Sequence, residues 1–308
     1  MLALLRSRSE EGSSPGNRRD DARLALVIEG GSSRGAYSAG MTGAIEQLAM
    51  LPLFDAVYGS SAGALNGAWM LCGKAEKTMH AWWTPEIMRA TINPRRALRG
   101  RPVVDTHFLV HTVYTEIMAM GFEEILDGPI EFHPMATDAM TGASTDLYPF
   151  IHDRPSLQAA FRATTAMPFL TGRPIAIDGR RFVDAGVSES VPVRTAFAQG
   201  ATHVLALRTR RADERTAPPS RVERLVLSRW FARNAPGALD PWLHRVALRT
   251  EEERMLAGHA GVLQIRPPAG SGNIGRTEVA GAALRSAVDI GRAAAFETLS
   301  NVVDLVAD

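Results

Sequence analysis

The sequence predicts an α/β fold with a doubly wound, mostly parallel sheet, and two adjacent units carry that prediction. In the first unit, the apolar run LALVIEGG at 24–31 indicates a buried strand, and the helically spaced segment GAYSAGMTGAIEQLAM follows it. In the second unit, FDAVYGS indicates another buried strand before the small-residue helix SAGALNGAWMLCG. Two strand–loop–helix units in succession are typical of a parallel sheet covered by helices.

The later segments continue the same pattern. Residues 74–125 have mainly helical spacing, and residues 130–153 indicate strands around a central turn. A helix then leads to a predicted hairpin, RPIAIDGRRFVDAG, which turns at Asp178-Gly179. The helix VPVRTAFAQG and the strand HVLALRTR come next. Beyond the linker-like RADERTAPPS we expect two helical stretches, the strand VLQIRPP and a closing helix from about 277 to 303.

This order of elements predicts one folded domain over 23–308, with the motifs in 24–207 and a helical extension over 220–308. The polar and charged stretch before it, 1–22, is predicted to be a disordered tail. The apolar run MLALL at its start is too short for the core of a signal peptide. No apolar run approaches the roughly 18 residues that span a bilayer, so we expect a cytoplasmic protein.

Charge and cysteine content narrow the function classes. The 308 residues include 34 basic and 33 acidic side chains, so the global charge indicates no nucleic acid or other polyanionic partner. The single cysteine, Cys72, rules out an intrachain disulfide and argues against a structural zinc site. Its apolar neighbours indicate a position in the core. The composition points to no particular oligomeric state.

The segment VYGSSAGALNG, residues 57–67, contains the pattern G-x-S-x-G with Ser61 at its centre. A nucleophile elbow places such a serine at the tip of a sharp turn between a strand and a helix, where bulky neighbours do not fit. Gly59 and Gly63 meet this requirement, and the flanking segments supply the strand and the helix. Because so short a pattern also arises by chance, an ordinary glycine-rich turn stays open as the alternative.

A second glycine-rich turn lies between the first strand and its helix, at Gly30, Gly31, Ser32, Ser33, Arg34 and Gly35. A P-loop would need Gly-Lys-Ser/Thr here, and a dinucleotide fingerprint would need glycine where Ser32 stands. An oxyanion hole made of backbone N–H groups fits the turn and also gives Ser61 a role. The two turns are expected to meet, since the carboxyl ends of parallel strands share one edge of the sheet.

The base that would activate Ser61 has two candidates. A Ser-His-Asp triad can be assembled from Ser61, Asp184 and His259, but α/β-hydrolases place several strands before their nucleophile and this chain places only one. Asp184 itself ends the apolar strand RRFVD, which puts its carboxylate at the rim of the sheet where ligands bind. Taken alone, that position favours a simple turn cap.

Considered together, these blocks resemble the patatin-like phospholipases, a family of lipid acyl hydrolases with a Ser-Asp dyad. The resemblance rests on EGGSSRGAYSAG at 29–40, GSSAG at 59–63, ATDAMTG at 136–142, RATTAMPFL at 162–170 and VDAGVSESVPV at 183–193. It implies a three-layer α/β/α fold around a central, mostly parallel sheet. It also implies that Ser61 is the nucleophile and Asp184 the general base. The amides of the oxyanion hole would then come from Gly30, Gly31 and Ser32.

The resemblance further implies chemistry without a metal or an organic cofactor, on a lipid or simpler carboxylic ester. Arg34 and Gly35 would support the loop, and Arg34 would either order it or meet a phosphate, with a salt bridge inside the loop as the alternative. An ordinary aspartate titrates near ~4 and a catalytic histidine near ~6.5. A dyad of Ser61 and Asp184 therefore predicts no inflection of activity between about pH 6 and 7.5.

Two positions depart from the family pattern. Ser32 replaces the third glycine of the oxyanion loop, and a positive φ there costs a serine about 1 kcal/mol or more. Ala185 replaces the glycine after the aspartate and adds one methyl group beside the base. Neither change removes a reacting atom, but each is expected to narrow or slow the site. A catalytically impaired lipid-binding or regulatory protein on the same fold is therefore the alternative function.

One segment bears on contact with a membrane surface. RVERLVLSRWFAR, residues 221–233, mixes apolar side chains with arginines. This mixture is found in interfacial helices, and more often in a helix that packs one face on the core and exposes the other to water.

Overall fold

The computed structural model of the chain describes residues 1–214 and 216–302. The strands in this part are β1 (Leu24–Ile28), β2 (Ala56–Ser60), β3 (Glu131–Asp138), β4 (Ser144–Asp146), β5 (Ile175–Ile177), β6 (Arg180–Asp184), β7 (His203–Leu207) and β8 (Val262–Ile265). The helices are α1 (Leu2–Glu10), α2 (Gly35–Gln47), α3 (Ala62–Leu71), α4 (Ala75–Thr78), α5 (Pro85–Thr91), α6 (Thr106–Phe108), α7 (Phe122–Leu126), α8 (Arg154–Thr164), α9 (Val193–Ala198), α10 (Arg221–Asn234), α11 (Leu239–Leu243), α12 (Arg245–Gly258) and α13 (Gly281–Leu299).

Most of the predicted elements are present where the pattern places them. The hairpin of β5 and β6 turns at Asp178 and Gly179, whose φ angles of 47° and 74° suit a two-residue hairpin loop. The closing helix predicted to about 303 is α13, and residues 303–308 of the predicted extension lie outside the described residues. A π-helix, Leu109–Ile117, continues α6. No helix in the described part of the chain is both long and apolar enough to cross a membrane.

The sheet formed by the described strands has the order β5-β6-β3-β2-β1-β7-β8, and β4 pairs with β3 outside that path. The five strands from β3 to β8 in this order are parallel to one another. The hairpin β5–β6 and the short β4 run antiparallel to their neighbours. This arrangement confirms the prediction of a mostly parallel sheet.

Helices cover both faces of the sheet, as the alternation along β1 shows. Leu24, Leu26 and Ile28 pack with α2, α3, α8 and α13 on one face. Ala25 and Val27 point the other way, into a smaller cluster with α9 and α12. Since successive side chains of a strand alternate between faces, an all-apolar strand such as β1 requires cover on both. The three-layer α/β/α prediction is therefore confirmed.

Strand β3 aligns the two segments that carry the predicted site residues. On one side, β2 pairs with β3 so that Ser60 lies opposite Met135. Strand β6 pairs antiparallel with β3 so that Asp184 lies opposite Ala136, the next residue along. The end of β2 and the end of β6 therefore reach the same level of the sheet.

The first 22 residues differ from the prediction of a disordered tail. They include the helix α1, on which Leu5 is fully buried. Arg8 is also buried and forms ion pairs with Asp20 and Asp55, each at 2.8 Å. It donates a further hydrogen bond to the carbonyl of Leu53 at 2.7 Å. Polar composition predicts disorder where no partner exists, and here two carboxylates provide one.

Candidate active site

Ser61 lies in a strained turn between β2 and α3. Its φ of 54° and ψ of −125° form a combination that L-residues rarely adopt. A Cβ on Gly59 would lie 2.3 Å from the Cα of Ala64. A Cβ on Gly63 would lie 2.4 Å from the carbonyl oxygen of Ile28. Both glycines are therefore needed for close approach of the backbone, and the geometry is that of a nucleophile elbow.

The structure brings Ser61 and Asp184 together across 123 positions of sequence. The Ser61 hydroxyl donates to Oδ2 of Asp184 at 2.7 Å, and both side chains are buried. The second carboxylate oxygen of Asp184 accepts the N–H of Gly186 at 2.8 Å. The N–H of Ser61 donates to Oγ1 of Thr164 at 2.9 Å. Thr164 lies in one of the resembling segments, but the sequence did not reveal that it positions the serine.

Burial changes the acid–base character of Asp184. Loss of hydration raises its pKa to about 6, although the hydrogen bonds from Ser61 and Gly186 act in the opposite direction. The expectation of no inflection between about pH 6 and 7.5 used the pKa of an exposed aspartate, and the raised pKa moves the expected inflection toward pH 6. A carboxylate with the raised pKa is a better proton acceptor near neutral pH.

Two backbone amides in the loop between β1 and α2 are free to bind an oxyanion. The N–H groups of Gly31 and Ser32 meet no acceptor among residues 1–214 and 216–302, and both residues line a cavity that reaches Ser61. The N–H of Gly30 instead donates to the carbonyl of Ser190 at 3.1 Å. The prediction that Gly30 contributes an amide is therefore corrected. Its lack of a side chain leaves room for Ser61, whose Cβ would be 3.1 Å from a Cβ on Gly30.

Ser32 adopts the positive φ that the family pattern assigns to glycine, at 52°. Its hydroxyl donates to the carbonyl of Arg276 at 2.6 Å, and the hydroxyl of Ser33 donates to the same oxygen at 3.1 Å. A hydrogen bond of this kind contributes about 1 kcal/mol, which is similar to the strain of the left-handed backbone. The departure at Ser32 is thus compensated locally.

Arg34 and Gly35 lie at the end of this loop and make different contacts. Nη1 of Arg34 lies 3.5 Å from Glu214, so its ion pair is with a distant segment and not within the loop. Nε of Arg34 is buried and has no hydrogen-bond partner in the described chain. A Cβ on Gly35 would lie 2.6 Å from the Cβ of Ala62, so Gly35 allows α2 to begin against α3.

A buried ion pair anchors the other end of the loop. The carboxylate of Glu29 accepts from Nε of Arg208 at 2.9 Å and from the N–H of Thr209 at 2.9 Å. Burial opposes ionisation of Glu29, but Arg208 and Arg210 overcome it and lower the pKa to about 2. The sequence motif contains Glu29, but nothing in the sequence indicated Arg208 as its partner.

The triad alternative is not assembled in the structure. His259 is exposed, and its Nδ1 accepts the N–H of Gly261 just before β8. Because β8 begins at Val262 and runs parallel to β7, His259 lies at the edge formed by the amino ends of the strands. Ser61 lies at the opposite edge. Within the described residues, no group of three or more His, Cys, Asp and Glu side chains is placed to hold a metal ion.

Ser61 lies in the walls of two clefts, which differ in the side chains that line them. The first is mainly apolar, with walls that include Leu65, Trp69, Met79, Trp82, Ile87 and Met88. The second is lined by five arginines, which are Arg34, Arg210, Arg245, Arg249 and Arg276. Except for Arg34, these arginines were missed in the sequence, because they come from separate segments that share no motif.

A three-layer α/β/α fold with a serine elbow between a strand and a helix is typical of carboxylic ester hydrolases. Residues 26–197 match the family model described as patatin-like phospholipase. The match covers more than half of the chain and contains both glycine-rich turns, Ser61 and Asp184. The chain belongs to the patatin-like phospholipase family, as its motifs indicated.

Several curated proteins are similar to the chain over part of their length. Uncharacterized protein YjjU of Escherichia coli (strain K12) is 29% identical over 195 residues, which are 61% of this chain and 52% of that protein. Lysophospholipase NTE1 of Scheffersomyces stipitis is 26% identical over 263 residues, 80% of this chain and 16% of that protein. A cUMP-AMP-activated phospholipase of Escherichia coli is 30% identical over 112 residues, 35% of this chain and 33% of that protein. The matches thus span 16% to 52% of these relatives.

The raised pKa of Asp184 predicts a pH-dependent effect on folding. Between pH 3.8 and about 6 the folded state holds a proton that the unfolded state releases, so stability falls as pH rises through this window. Above it, the buried carboxylate costs about 1–3 kcal/mol. We expect Asp184→Asn to remove this cost and to raise the free energy of unfolding at pH 8, but not near pH 3.5, in urea titrations.

The matched control is Asp21→Asn, which changes an exposed carboxylate. It should leave the free energy of unfolding the same at both pH values. An Asp184→Asn protein that is less stable than the wild type at pH 8 would contradict the interpretation.

Proposed function

We propose that the protein is a serine acyl hydrolase that cleaves lipid carboxylic esters through a dyad of Ser61 and Asp184. The observation that carries the proposal is the 2.7 Å hydrogen bond between the Ser61 hydroxyl and the buried Asp184 carboxylate. The strained elbow exposes Oγ to two clefts, and the free amides of Gly31 and Ser32 lie beside it. Membership of the patatin-like phospholipase family supports the same chemistry.

The reaction follows from this geometry in two steps. Oγ of Ser61 attacks the ester carbonyl carbon while Asp184 accepts the hydroxyl proton, and the oxyanion is held by the amides of Gly31 and Ser32. The tetrahedral intermediate collapses, the alcohol leaves with the proton from Asp184, and an acyl-serine remains. Water then attacks the acyl-serine and gives up a proton to Asp184. Asp184 passes that proton to Oγ as the C–O bond to Ser61 breaks, so the carboxylic acid is released and the Ser61 hydroxyl is restored.

The apolar cleft is the proposed site for the acyl chain. Its lining is mainly apolar, as is typical of pockets that bind small molecules. Trp69, Trp82 and Met79 supply large apolar surface, and Ser61 lies in the wall. An ester bound with its chain in this cleft places its carbonyl carbon next to Oγ. The cleft therefore favours a lipid or another ester with an extended apolar acid.

The assignment predicts the effect of removing each member of the dyad. Ser61→Ala should reduce hydrolysis of p-nitrophenyl butyrate to background, because the nucleophile is gone. Asp184→Asn should reduce kcat by at least about 10²-fold, the usual contribution of a general base. A fluorophosphonate probe should label the wild type and not Ser61→Ala. Full activity in both variants would disprove the dyad, and an unlabelled but folded wild type would indicate the impaired, lipid-binding alternative.

The pH profile gives a further prediction. Since Asp184 must be ionised to accept a proton and burial raises its pKa to about 6, kcat/KM for p-nitrophenyl butyrate should fall as pH drops through about 6. Burial also raises the pKa of Glu252 to about 7, so Glu252→Gln serves as a control that should keep the lower limb. His259→Ala should keep it as well. Loss of the limb in His259→Ala would favour the triad.

The exposed face of α10 supports peripheral contact with a membrane. Val222, Leu225 and Val226 lie on one side of this helix and are 73%, 55% and 41% exposed. Phe231, further along, is fully buried, so the helix is anchored to the domain. Leu227 lines the second cleft beside Ser61, the one with five arginines, which places α10 beside the proposed site. Exposed arginines flank the apolar face, at Arg221, Arg224 and Arg229. Apolar side chains among cationic ones suit an anionic lipid surface.

We therefore expect the double variant Val222→Asp, Leu225→Asp to bind phosphatidylglycerol vesicles at least about tenfold more weakly in flotation assays, because it removes apolar contact and adds negative charge. Leu2→Asp is the matched control, since Leu2 is 43% exposed on α1, which packs near the amino end of β2 and away from Ser61. Equal flotation of both variants would contradict contact through α10.

A further inference from the structure

The apolar cleft beside Ser61 runs along helix α3, which begins at Ala62. Four residues of this helix line the cleft at spacings of three and four positions, namely Ala62, Leu65, Asn66 and Trp69. Residues at these spacings share one face of a helix. A helix rises about 1.5 Å per residue, so the face from Ala62 to Trp69 is about 10 Å long. The cleft therefore extends about 10 Å from the nucleophile toward the far end of α3.

An outer groove lies at that far end of the helix. Its wall includes Lys74, whose N–H donates to the carbonyl of Trp69 at 2.9 Å. Its other lining residues include Lys77, Phe108, Ile117 and Met118. Thr78 and Ile87 line both the outer groove and the apolar cleft. At these two positions the wall between the two cavities is therefore one residue thick.

The two residues of this wall are held differently. Thr78 is fixed by hydrogen bonds, because its N–H and its hydroxyl both donate to the carbonyl of Lys74, at 3.0 and 2.6 Å. Ile87 lies on α5, is 8% exposed and packs in the main apolar cluster of the domain. A β-branched side chain in a helix has one strongly preferred χ1 rotamer, so Ile87 is stiff. Of the two residues, Ile87 gives the cleft an apolar wall of fixed shape.

We propose that Ile87 is the end wall of the apolar cleft and restricts the substrates to esters of medium-length acids. The proposal rests on the proposed hydrolase function and names the residue that selects its substrate. A fully extended chain of single bonds advances about 1.2 Å per bond, so about 10 Å of cleft holds about eight carbon atoms. A longer acid meets a buried side chain in a closely packed region, and displacing that side chain is unfavourable.

The outer groove indicates what loss of this wall would do. Ile117 is 56% exposed there, and Phe108 and Met118 add partly buried apolar surface. Covering apolar surface that is in contact with water is favourable, so these side chains can pack against an acyl chain. In Ile87→Ala the two cavities join, and the end of a longer acid reaches apolar contacts in the groove.

The test is the dependence of hydrolysis on chain length. The quantity measured is kcat/KM for monomeric p-nitrophenyl esters from acetate to laurate. In the wild type it should rise about fourfold with each methylene, reach a maximum near octanoate and then fall. Ile87→Ala removes three carbon atoms from the wall and should move the maximum to a longer acid. Relative to butyrate, kcat/KM for the first ester beyond the wild-type maximum should rise about 4- to 60-fold.

Further variants separate a wall from a general defect. Ile87→Phe enlarges the side chain and should move the maximum to a shorter acid. Ile117→Ala is the matched control, because it removes the same carbon atoms from the outer groove and not from the wall, and it should leave the maximum in place. Loss of packing alone would lower kcat/KM for all the esters together. If Ile87→Ala does not fold, Ile87→Val takes its place, with a smaller shift in the same direction.

The outcomes distinguish this proposal from the hydrolase function on which it rests. Shifts in opposite directions in Ile87→Ala and Ile87→Phe support Ile87 as the end wall. A maximum that stays in place in both variants, or a wild type without a maximum, would overturn the role of Ile87 even where hydrolysis depends on Ser61. Hydrolysis that persists in Ser61→Ala would instead reject the hydrolase function, and selection by Ile87 with it.

Discussion

The hydrogen bond between Ser61 and Asp184 depends on the register of one strand, β3. Strand β2 and strand β6 both pair with it, and the pairs Ser60–Met135 and Asp184–Ala136 set the two chain ends at one level. A slip of one residue would move Asp184 by about 3.3 Å and turn its side chain to the other face of the sheet. Either displacement exceeds what a 2.7 Å contact tolerates. Two parallel units and a hairpin thus become one site because they share a partner strand.

Glu29 and Asp184 are both buried carboxylates, but their pKa values are shifted in opposite directions. Glu29 is buried but paired with Arg208, and its pKa is lowered to about 2, so its ionised form stabilises the fold. Asp184 is buried without such a direct pair, and its pKa is raised to about 6. The same low-polarity setting that makes Asp184 a better base therefore costs folding stability near neutral pH. A direct ion pair therefore distinguishes the structural carboxylate, Glu29, from the proposed reacting carboxylate, Asp184.

The structural features that the sequence predicts are those that depend on residues close together in the chain. The period of the apolar runs predicts β1, β2 and their helices, and the room required at Gly59 and Gly63 predicts the elbow, because each depends on neighbours in sequence. The raised pKa of Asp184 depends on burial that only the assembled sheet creates. The ordered structure of the first 22 residues depends on Arg8, which pairs with Asp20 in the same segment and with Asp55 beyond it. The five arginines that line the second cleft come from four distant regions of the chain, and the periodicity of the sequence does not indicate that they meet.

The contact between Ser32 and Arg276 joins the loop after β1 to the segment before α13. In the family pattern Ser32 stands where glycine is expected, and the sequence alone indicates only a cost. In the structure its hydroxyl binds the carbonyl of Arg276, which also accepts from Ser33. Arg276 itself lines the second cleft beside Ser61. A glycine at position 32 would relieve the backbone but lose one of the two hydroxyls that hold this segment. The departure from the family pattern therefore ties the proposed oxyanion loop to the segment before α13, which also lines the second cleft.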